Sequence, residues 1–403
     1  MVSTNKEPYS LRMFVNLYIY IFFILSNAIQ FGKECNVLTF TLFFEEDDYI
    51  YFQFIIFTIL IFYNFIYKYS IFNINFKKRN NQYTYYINKN ILLLLSLIFT
   101  LIILNYYQFN PYLIFIRGLS EDMMMEGGIE NIEPIESTNS NVSILLFGQF
   151  IRPIPWCTYL IGLIRKIEKK YLFILFTLTL LTVFPLGIAR NGAAMYWLPI
   201  VILWVHKWIR GRRFLWLAFI GLFFAFPFLD NFRYFSGKID YNFNLDYLAS
   251  MNFDASQIFM ATLKTKSITN GLQLLGTFLF FIPRFLWPGK PIGSGAYLVE
   301  SNDGWFTNVS MPFFAEGYIN FGFLGIIIFI ILLGLSSKYF DLRYWKSYNH
   351  GGFFQGYYLL LLGALIFILR GDLMSSFSYT LGVVFSLTFV LLISRKKQLN
   401  LKD

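Results

Sequence analysis

The residues best suited to chemistry lie in a polar segment, rich in Gly and Pro, that interrupts an otherwise apolar chain. Residues 280–325 carry Arg284 and Lys290 in the sequence FIPRFLWPGKP, and Glu316 in the sequence MPFFAEGYINFGFLG. A guanidinium and an ammonium six residues apart suit the oxygens of a lipid diphosphate. A carboxylate among apolar residues suits general-base work. We therefore predict Arg284 and Glu316 as catalytic residues and Lys290 as a diphosphate ligand. Headgroup anchoring by the cations, and a helix-dipole role for the carboxylate, are the structural alternatives.

Three more arginines lie beside or within apolar sequence, where an unpaired cation is costly in a membrane. Arg152 occurs in QFIRPIPW, where two prolines break a predicted helix, Arg190 in IARNGAAMYW, and Arg370 in LRGDLMSSF. We predict that all three contact the diphosphate or the substrate. For Arg152, the alternatives are pairing with a carbonyl or a helix that starts later. For Arg190, the alternative is an anchor at the membrane interface. For Arg370, the alternative is an ion pair with Asp372.

The composition identifies the scaffold that must position these residues. Hydrophobic residues make up 57% of the 403-residue chain and charged residues only 14%, whereas a soluble domain has roughly 25% charged residues. This predicts an all-α polytopic integral membrane protein with about ten transmembrane helices. The predicted spans are about 11–31, 50–68, 91–113, 143–163, 171–189, 192–208, 214–230, 318–337, 353–370 and 377–394.

The distribution of charge predicts the orientation. With the N-terminus inside, about two thirds of the 33 basic residues but only four of the 23 acidic residues fall in cytoplasmic segments. The positive-inside rule then places both termini in the cytoplasm. The formal net charge of +10 reflects basic residues at helix ends next to anionic lipids. Nucleic acid is therefore not an expected partner, whereas membrane lipids are.

Three regions follow from this map. Residues 1–229 form an N-terminal bundle of seven spans, residues 230–317 a large outer loop, and residues 318–403 a C-terminal bundle of three spans. Within the loop, the apolar run 272–287 is interrupted by Pro283 and is too short for a confident crossing. A re-entrant or interfacial helix is therefore predicted there.

Several other chemistries find no support in the sequence. It contains no cluster with zinc-ligand spacing and no phosphate-binding loop of the GxxxxGK[ST] type. Cys35 and Cys157 do not form a disulfide framework. His206 and His350 both fall at predicted cytoplasmic helix ends, away from the outer loop. We therefore expect no cofactor and a reaction that needs neither metal nor nucleotide.

The blocks IPRFLWPGKPIGSG and AEGYINFGFLG resemble the bacterial O-antigen polymerases, the Wzy-type oligosaccharide repeat-unit polymerases, over about Leu272–Ile328. The resemblance implies a GT-C-like polymerase/ligase fold in the inner membrane of a Gram-negative bacterium. It further implies transfer of a growing glycan from undecaprenyl diphosphate onto a lipid-linked repeat unit at the periplasmic face. A lipid-linked oligosaccharide substrate and a chain-length regulator in the same membrane are the implied partners.

Two other readings stay open. A flippase for the lipid-linked oligosaccharide would be expected to show internal repeats, and no convincing repeat is present. Another outer-face transferase, such as the O-antigen ligase, is expected to use an outer-face histidine, and neither histidine is predicted there. If Arg284 is catalytic, the substitution Arg284→Ala should leave lipopolysaccharide with at most one repeat.

Overall fold

The computed structural model describes residues 7–70, 83–117, 147–209, 213–232, 245–347 and 353–399. This part of the chain is helical apart from one two-stranded antiparallel sheet. Before the long loop, the elements are α1 (Leu11–Gly32, with a π-helical centre), α2 (Glu46–Tyr69), β1 (Tyr83–Ile87), α3 (Lys89–Tyr106), α4 (Pro111–Phe115), a π-helical turn (Phe147–Ile151), α5 (Ile154–Arg165), α6 (Lys169–Thr182), α7 (Arg190–Trp204) and α8 (Arg213–Asp230). The later elements are α9 (Ala255–Lys264), α10 (Leu272–Phe278), α11 (Ser294–Glu300), α12 (Phe313–Ser347), α13 (Phe354–Arg370), α14 (Leu373–Ser394) and β2 (Arg395–Leu399).

Seven helical segments in the described part of the chain are long and apolar enough to cross a membrane, namely α1, α2, α3, α6 with the turn after it, α8, α12 and α14. The prediction of a helical, multi-pass membrane protein is therefore confirmed. The other three predicted spans coincide with the shorter helices α5, α7 and α13. Residues 143–146 of the predicted fourth span lie outside the described residues.

Helix α12 is a helical hairpin rather than one straight span. At the turn, Phe321 has φ −143° and Gly322 has φ +61° with ψ −147°, a conformation that favours glycine. The two arms then touch: a Cβ added to Gly325 would lie 1.8 Å from the carbonyl oxygen of Gly317. Residues 313–320 therefore fold back on the start of the long arm, and the turn lies just inside the predicted span 318–337.

The short arm of this hairpin holds α10 in place. Asn320 is fully buried, and its Oδ1 accepts a hydrogen bond of 2.8 Å from the Leu274 amide, while its carbonyl accepts 2.9 Å from the Gly271 amide. These bonds satisfy N–H groups that a helix N-terminus leaves unpaired. One face of α10, with Leu275 and Phe278, is exposed and apolar. An exposed apolar face on a seven-residue helix fits the predicted re-entrant or interfacial element.

Hydrophobic residues pack in two large buried clusters, one centred on α1, α2, α9 and α12 and the other on α3, α5, α7 and α14, with α13 between them. At one end of this core, the buried carboxylate of Asp341 accepts hydrogen bonds from the Leu11 amide (2.9 Å), the Tyr67 hydroxyl (2.8 Å) and the Tyr358 hydroxyl (2.7 Å). β1 also pairs with β2 in antiparallel register. The N-terminal segment, α12 and α13 are thereby joined at this end.

The segments predicted to face outwards also contact one another. The Trp305 amide donates a hydrogen bond of 3.1 Å to the Thr39 carbonyl, and Arg190 forms an ion pair of 3.1 Å with Asp230. The loop after α1, the start of α7, the end of α8 and the long loop are thus assembled together. The candidate site lies among these segments.

Candidate functional site

A cavity of about 570 Å³ opens among these segments. Sites for small ligands usually have volumes of about 300–1,000 Å³. Four arginines line it, namely Arg117, Arg152, Arg190 and Arg370. These come from four different parts of the chain, so only the fold brings them together. Other polar or aromatic residues of the wall include Asn191, Asn252, Asp254, Trp305, Asn308 and Asp372.

Arg370 is held by the start of α9. Its Nη2 donates a hydrogen bond of 3.0 Å to Oδ1 of Asp254, and the two side chains are 14% and 6% exposed. Ser310 supports this carboxylate, since its amide donates to Oδ2 (2.9 Å) and its hydroxyl to Oδ1 (2.7 Å). The Nε–H of Arg370 is buried and has no hydrogen-bond partner among the described residues. The pair thus fixes the side chain and leaves one donor unused. Arg370 therefore pairs with Asp254 and not with Asp372, which was the structural alternative predicted from the sequence.

Arg190 begins α7 and is 8% exposed. Its Nη2 donates a hydrogen bond of 2.7 Å to Oδ1 of Asn252, and its Nη1 donates one of 3.0 Å to the Tyr247 hydroxyl. Nη1 also forms the ion pair with Asp230. Burial raises the pKa of the Tyr247 hydroxyl, so this group stays protonated. Arg190 is therefore a fixed cation inside the protein rather than a side chain that reaches towards lipid headgroups.

The N-terminus of α7 itself lies on the cavity. Residues Arg190, Asn191 and Gly192 line the wall, and the N-cap residue, Ala189, has no side chain that accepts a hydrogen bond from the helix. Backbone N–H groups at an uncapped helix start, together with the positive end of the helix dipole, favour an anion. The helix start therefore adds to the positive potential of the arginines.

Arg152 follows the π-helical turn and precedes α5, so the helix is broken at the prolines, as predicted. Its Nε donates a hydrogen bond of 2.9 Å to the Thr182 carbonyl, and its Nη2 donates one of 3.0 Å to the Gly187 carbonyl. It thus pairs with carbonyls and also lies on the cavity wall. Arg117 was not singled out in the sequence, although it directly follows the apolar run PYLIFI. That position, a cation at the end of an apolar run, was the available signal.

Arg284 and Lys290 contact each other but do not line this cavity. Arg284 is exposed, and its Nη1 donates 2.8 Å to the Lys290 carbonyl. The ammonium of Lys290 donates to the carbonyls of Phe280 (2.5 Å) and Ile282 (3.0 Å). Burial lowers the pKa of this ammonium, and the neighbouring Arg284 charge lowers it further. In the structure the two cations stabilise the bend after α10.

Glu316 lies behind the cavity wall, on the short arm of the hairpin, and is 1% exposed. Its Oε1 accepts a hydrogen bond of 2.8 Å from the Leu373 amide, and its Oε2 accepts one of 2.8 Å from the Ser294 hydroxyl. The carboxylate therefore fastens the start of α14 and of α11 to the hairpin. The residue before Leu373 is Asp372, which lines the cavity.

Asp372 is the N-cap of α14. Its Oδ1 accepts hydrogen bonds from the Met374 and Ser375 amides, and its Oδ2 accepts 3.2 Å from the Gly295 amide. A Cβ on Gly293 would lie 2.6 Å from the same oxygen, so a larger residue there would displace the carboxylate. The carboxylate is thus held by backbone N–H groups on the cavity wall.

Comparison with known proteins gives a family match in the C-terminal part of the chain. Residues 307–400 match the model of the family described as O-antigen polysaccharide polymerase Wzy. The match confirms the resemblance to the Wzy family. Wzy proteins are O-antigen polymerases, glycosyltransferase-type enzymes of lipopolysaccharide biosynthesis. No curated protein and no solved structure shows a significant match to this chain.

The Wzy match covers slightly less than a quarter of the chain. It contains the hairpin with Glu316, and Arg370 and Asp372 at the junction of α13 and α14. The IPRFLWPGKPIGSG block lies before it. The cavity therefore combines residues of the matched part with arginines from the N-terminal half.

Proposed function

We propose that this protein polymerises O-antigen by moving a growing glycan from undecaprenyl diphosphate onto a lipid-linked repeat unit, at the periplasmic face of the inner membrane of a Gram-negative bacterium. The observation that carries the proposal is the cavity, which is lined by four arginines and by the uncapped start of α7. Two of the arginines are paired with Asp230 and Asp254, but the set of guanidinium and backbone N–H donors suits the oxygens of a diphosphate. The family match supplies the class of reaction.

In this reaction a hydroxyl oxygen of the acceptor attacks the sugar carbon that is bonded to the diphosphate. The carbon–oxygen bond to the diphosphate breaks, and undecaprenyl diphosphate leaves with the bonding electrons. Negative charge therefore develops on a phosphate oxygen, and fixed cations stabilise it. Arg190 and Arg370 are the best placed, because their own partners hold them rigidly. The donor is already activated, so the proposed reaction uses neither a nucleotide nor a metal.

The acceptor hydroxyl must lose its proton during this step. Two carboxylates line the cavity, Asp254 and Asp372. Asp254 is the ion-pair partner of Arg370. Asp372 has no described ion pair with a cation: its described hydrogen bonds come from backbone amides, and it interacts electrostatically with the neighbouring Glu316 carboxyl group. We therefore propose Asp372 as the group that accepts the proton. For Glu316, the base predicted from the sequence, we propose the role of a positioning residue that fixes the Asp372 loop from behind.

The finer topology is part of the proposal. We propose ten spans, in which α5, α7 and α13 cross together with the longer helices, and both termini lie in the cytoplasm. The distribution of basic residues supports this orientation, as does the assembly of the predicted outer loops around the cavity. The three regions 1–229, 230–317 and 318–403, the GT-C-like fold, and the chain-length regulator and membrane lipids as partners stay predictions.

Deletion of the gene, followed by gel electrophoresis of lipopolysaccharide, tests the proposal. A polymerase defect leaves core lipopolysaccharide with at most one repeat, and the wild-type gene restores the ladder of chain lengths. The substitution Arg190→Lys keeps a positive charge but loses the planar guanidinium, so it should weaken the ladder at a normal protein level. A deletion strain with no single-repeat product would indicate a flippase. A deletion strain that accumulates polymer on the lipid carrier would indicate a ligase.

A further inference from the structure

The cavity is smaller than the substrate that a polymerase of O-antigen must hold. This inference rests on the proposed function. A volume of about 570 Å³ matches sites that enclose one small ligand. It has room for a diphosphate and the nearest sugar, but not for a glycan of many repeats. Most of a growing glycan must therefore lie outside the mouth of the cavity, against exposed residues at its rim.

Trp305 is such a residue. It lines the cavity and is 77% exposed, more than any other tryptophan in the described part of the chain. Its backbone is nevertheless fixed. The Trp305 amide donates to the Thr39 carbonyl (3.1 Å), the Thr39 hydroxyl donates to the Phe306 carbonyl (2.9 Å), and a Cβ on Gly304 would lie 2.3 Å from Val299. A large aromatic ring is thus held in solvent on a rigid support.

The surroundings of Trp305 differ from those of a membrane anchor. Its ring contacts that of the partly buried Phe306, with centroids 5.7 Å apart, and its exposed neighbours Asp303, Thr307 and Asn308 are polar. By contrast, the bend after α10 exposes the apolar side chains Phe285 and Leu286. Tryptophan is common at membrane interfaces, but there it is expected beside such apolar side chains. Exposure of a fixed ring among polar groups needs another reason.

We propose that Trp305 is a stacking platform for a sugar ring of the growing glycan where the chain leaves the cavity. The faces of sugar rings carry C–H groups, which pack on the electron-rich face of an indole. Asn308, exposed on the same wall, offers an amide for neighbouring sugar hydroxyls. The contact retains long donor glycans at the site without taking part in bond making or breaking.

The first test uses the ladder of chain lengths in cells. In Trp305→Ala, expressed at the wild-type level, long bands should decrease severalfold relative to short bands, while the first transfers continue. Trp305→Phe keeps a ring and should give an intermediate distribution. Trp216→Ala is the matched control, because Trp216 is 63% exposed on α8 and does not line the cavity. A ladder in Trp305→Ala identical to that of Trp216→Ala would overturn the proposal.

The second test measures binding without catalysis. Purified protein in nanodiscs is titrated with O-polysaccharide released by mild acid from the lipopolysaccharide of the source strain, and binding is followed by saturation-transfer NMR. Loss of one aromatic contact should weaken the Kd about threefold to tenfold in Trp305→Ala. An unchanged Kd would overturn the proposal even if the ladder changed. If instead gene deletion leaves the ladder intact, the proposed polymerase function fails, and this outcome is distinct from a failure at Trp305 alone.

Discussion

Arg370, at the end of α13, donates a hydrogen bond of 3.0 Å to Asp254, which precedes α9 and lies 116 residues earlier in the chain. This pair fastens the long outer loop to the C-terminal helices. It also fixes a guanidinium on the wall of the cavity. One contact therefore contributes both to the shape of the site and to its charge.

We expect that removal of either member of this pair destabilises the protein. In Arg370→Ala or Asp254→Ala the remaining charge stays buried without its partner, which costs about 3–5 kcal/mol. Thermal unfolding of the purified protein in detergent measures this loss. The control is Arg370→Lys, which keeps the charge and should be more stable than Arg370→Ala. A Tm for Arg370→Ala equal to that of the wild type would show that the pair contributes nothing.

Substitution of the two carboxylates near α14 separates their roles. Asn is as good an N-cap as Asp but loses the acceptor for the Gly295 amide, so Asp372→Asn should fold with a modest loss of stability. It should lose polymerisation, because the amide cannot accept the acceptor proton. Glu316→Gln still offers an acceptor to the Leu373 amide and should retain much of the activity. Lipopolysaccharide gels at matched protein levels provide the measurement. The opposite pattern, an active Asp372→Asn and an inactive Glu316→Gln, would restore Glu316 as the base.

The hairpin of α12 depends on contact between two glycines. In Gly325→Ala the new methyl group would lie 1.8 Å from the Gly317 carbonyl oxygen, so the arms must separate at a cost of about 3 kcal/mol, the upper end of the usual range for overpacking. Gly221→Ala on α8 is the control, because no atom lies within 4 Å of the added Cβ. We expect a severe decrease in folded protein for the first variant only, measured by fluorescence-detected size-exclusion chromatography. Equal yields would contradict the hairpin geometry.

Arg284 is exposed and lies outside the cavity wall. We therefore expect Arg284→Ala to leave a ladder of chain lengths, in contrast to a catalytic residue. Its guanidinium contacts the Lys290 carbonyl, so a modest effect on the bend after α10 is expected. Complementation of a deletion strain provides the measurement. A product limited to one repeat, at a normal protein level, would show that Arg284 acts in the reaction.

The positions of the helices were predictable because hydropathy is a local property of the chain. The hairpin was not recognised, although Gly317, Gly322 and Gly325 in one apolar run were an available signal. A window average does not distinguish a straight helix from two short arms. Only the positive φ of Gly322 and the close approach of the other two glycines decide between them.

The candidate site was predictable in part. Arg152, Arg190 and Arg370 stand out in the sequence because cations beside apolar runs are rare in membrane proteins. Their assembly around one cavity with Arg117 depends on contacts between distant segments, such as Arg190 with Asn252, which no local pattern encodes. Arg284, Lys290 and Glu316 are near one another in the sequence. The fold nevertheless places the cations at an exposed bend and the carboxylate behind the cavity wall.

The division of the cavity wall between the two halves of the chain limits the exchange of its C-terminal segment with that of a Wzy-family protein. A chimaera that receives residues 307–400 from such a protein takes the residue at position 370 from it, while Asp254, Arg152 and Arg190 still come from the recipient. The imported side chain must then fit beside Asp254, which pairs with Arg370 in this chain. Specificity for a new repeat unit is therefore expected to transfer only when the outer loop and the C-terminal helices are exchanged together.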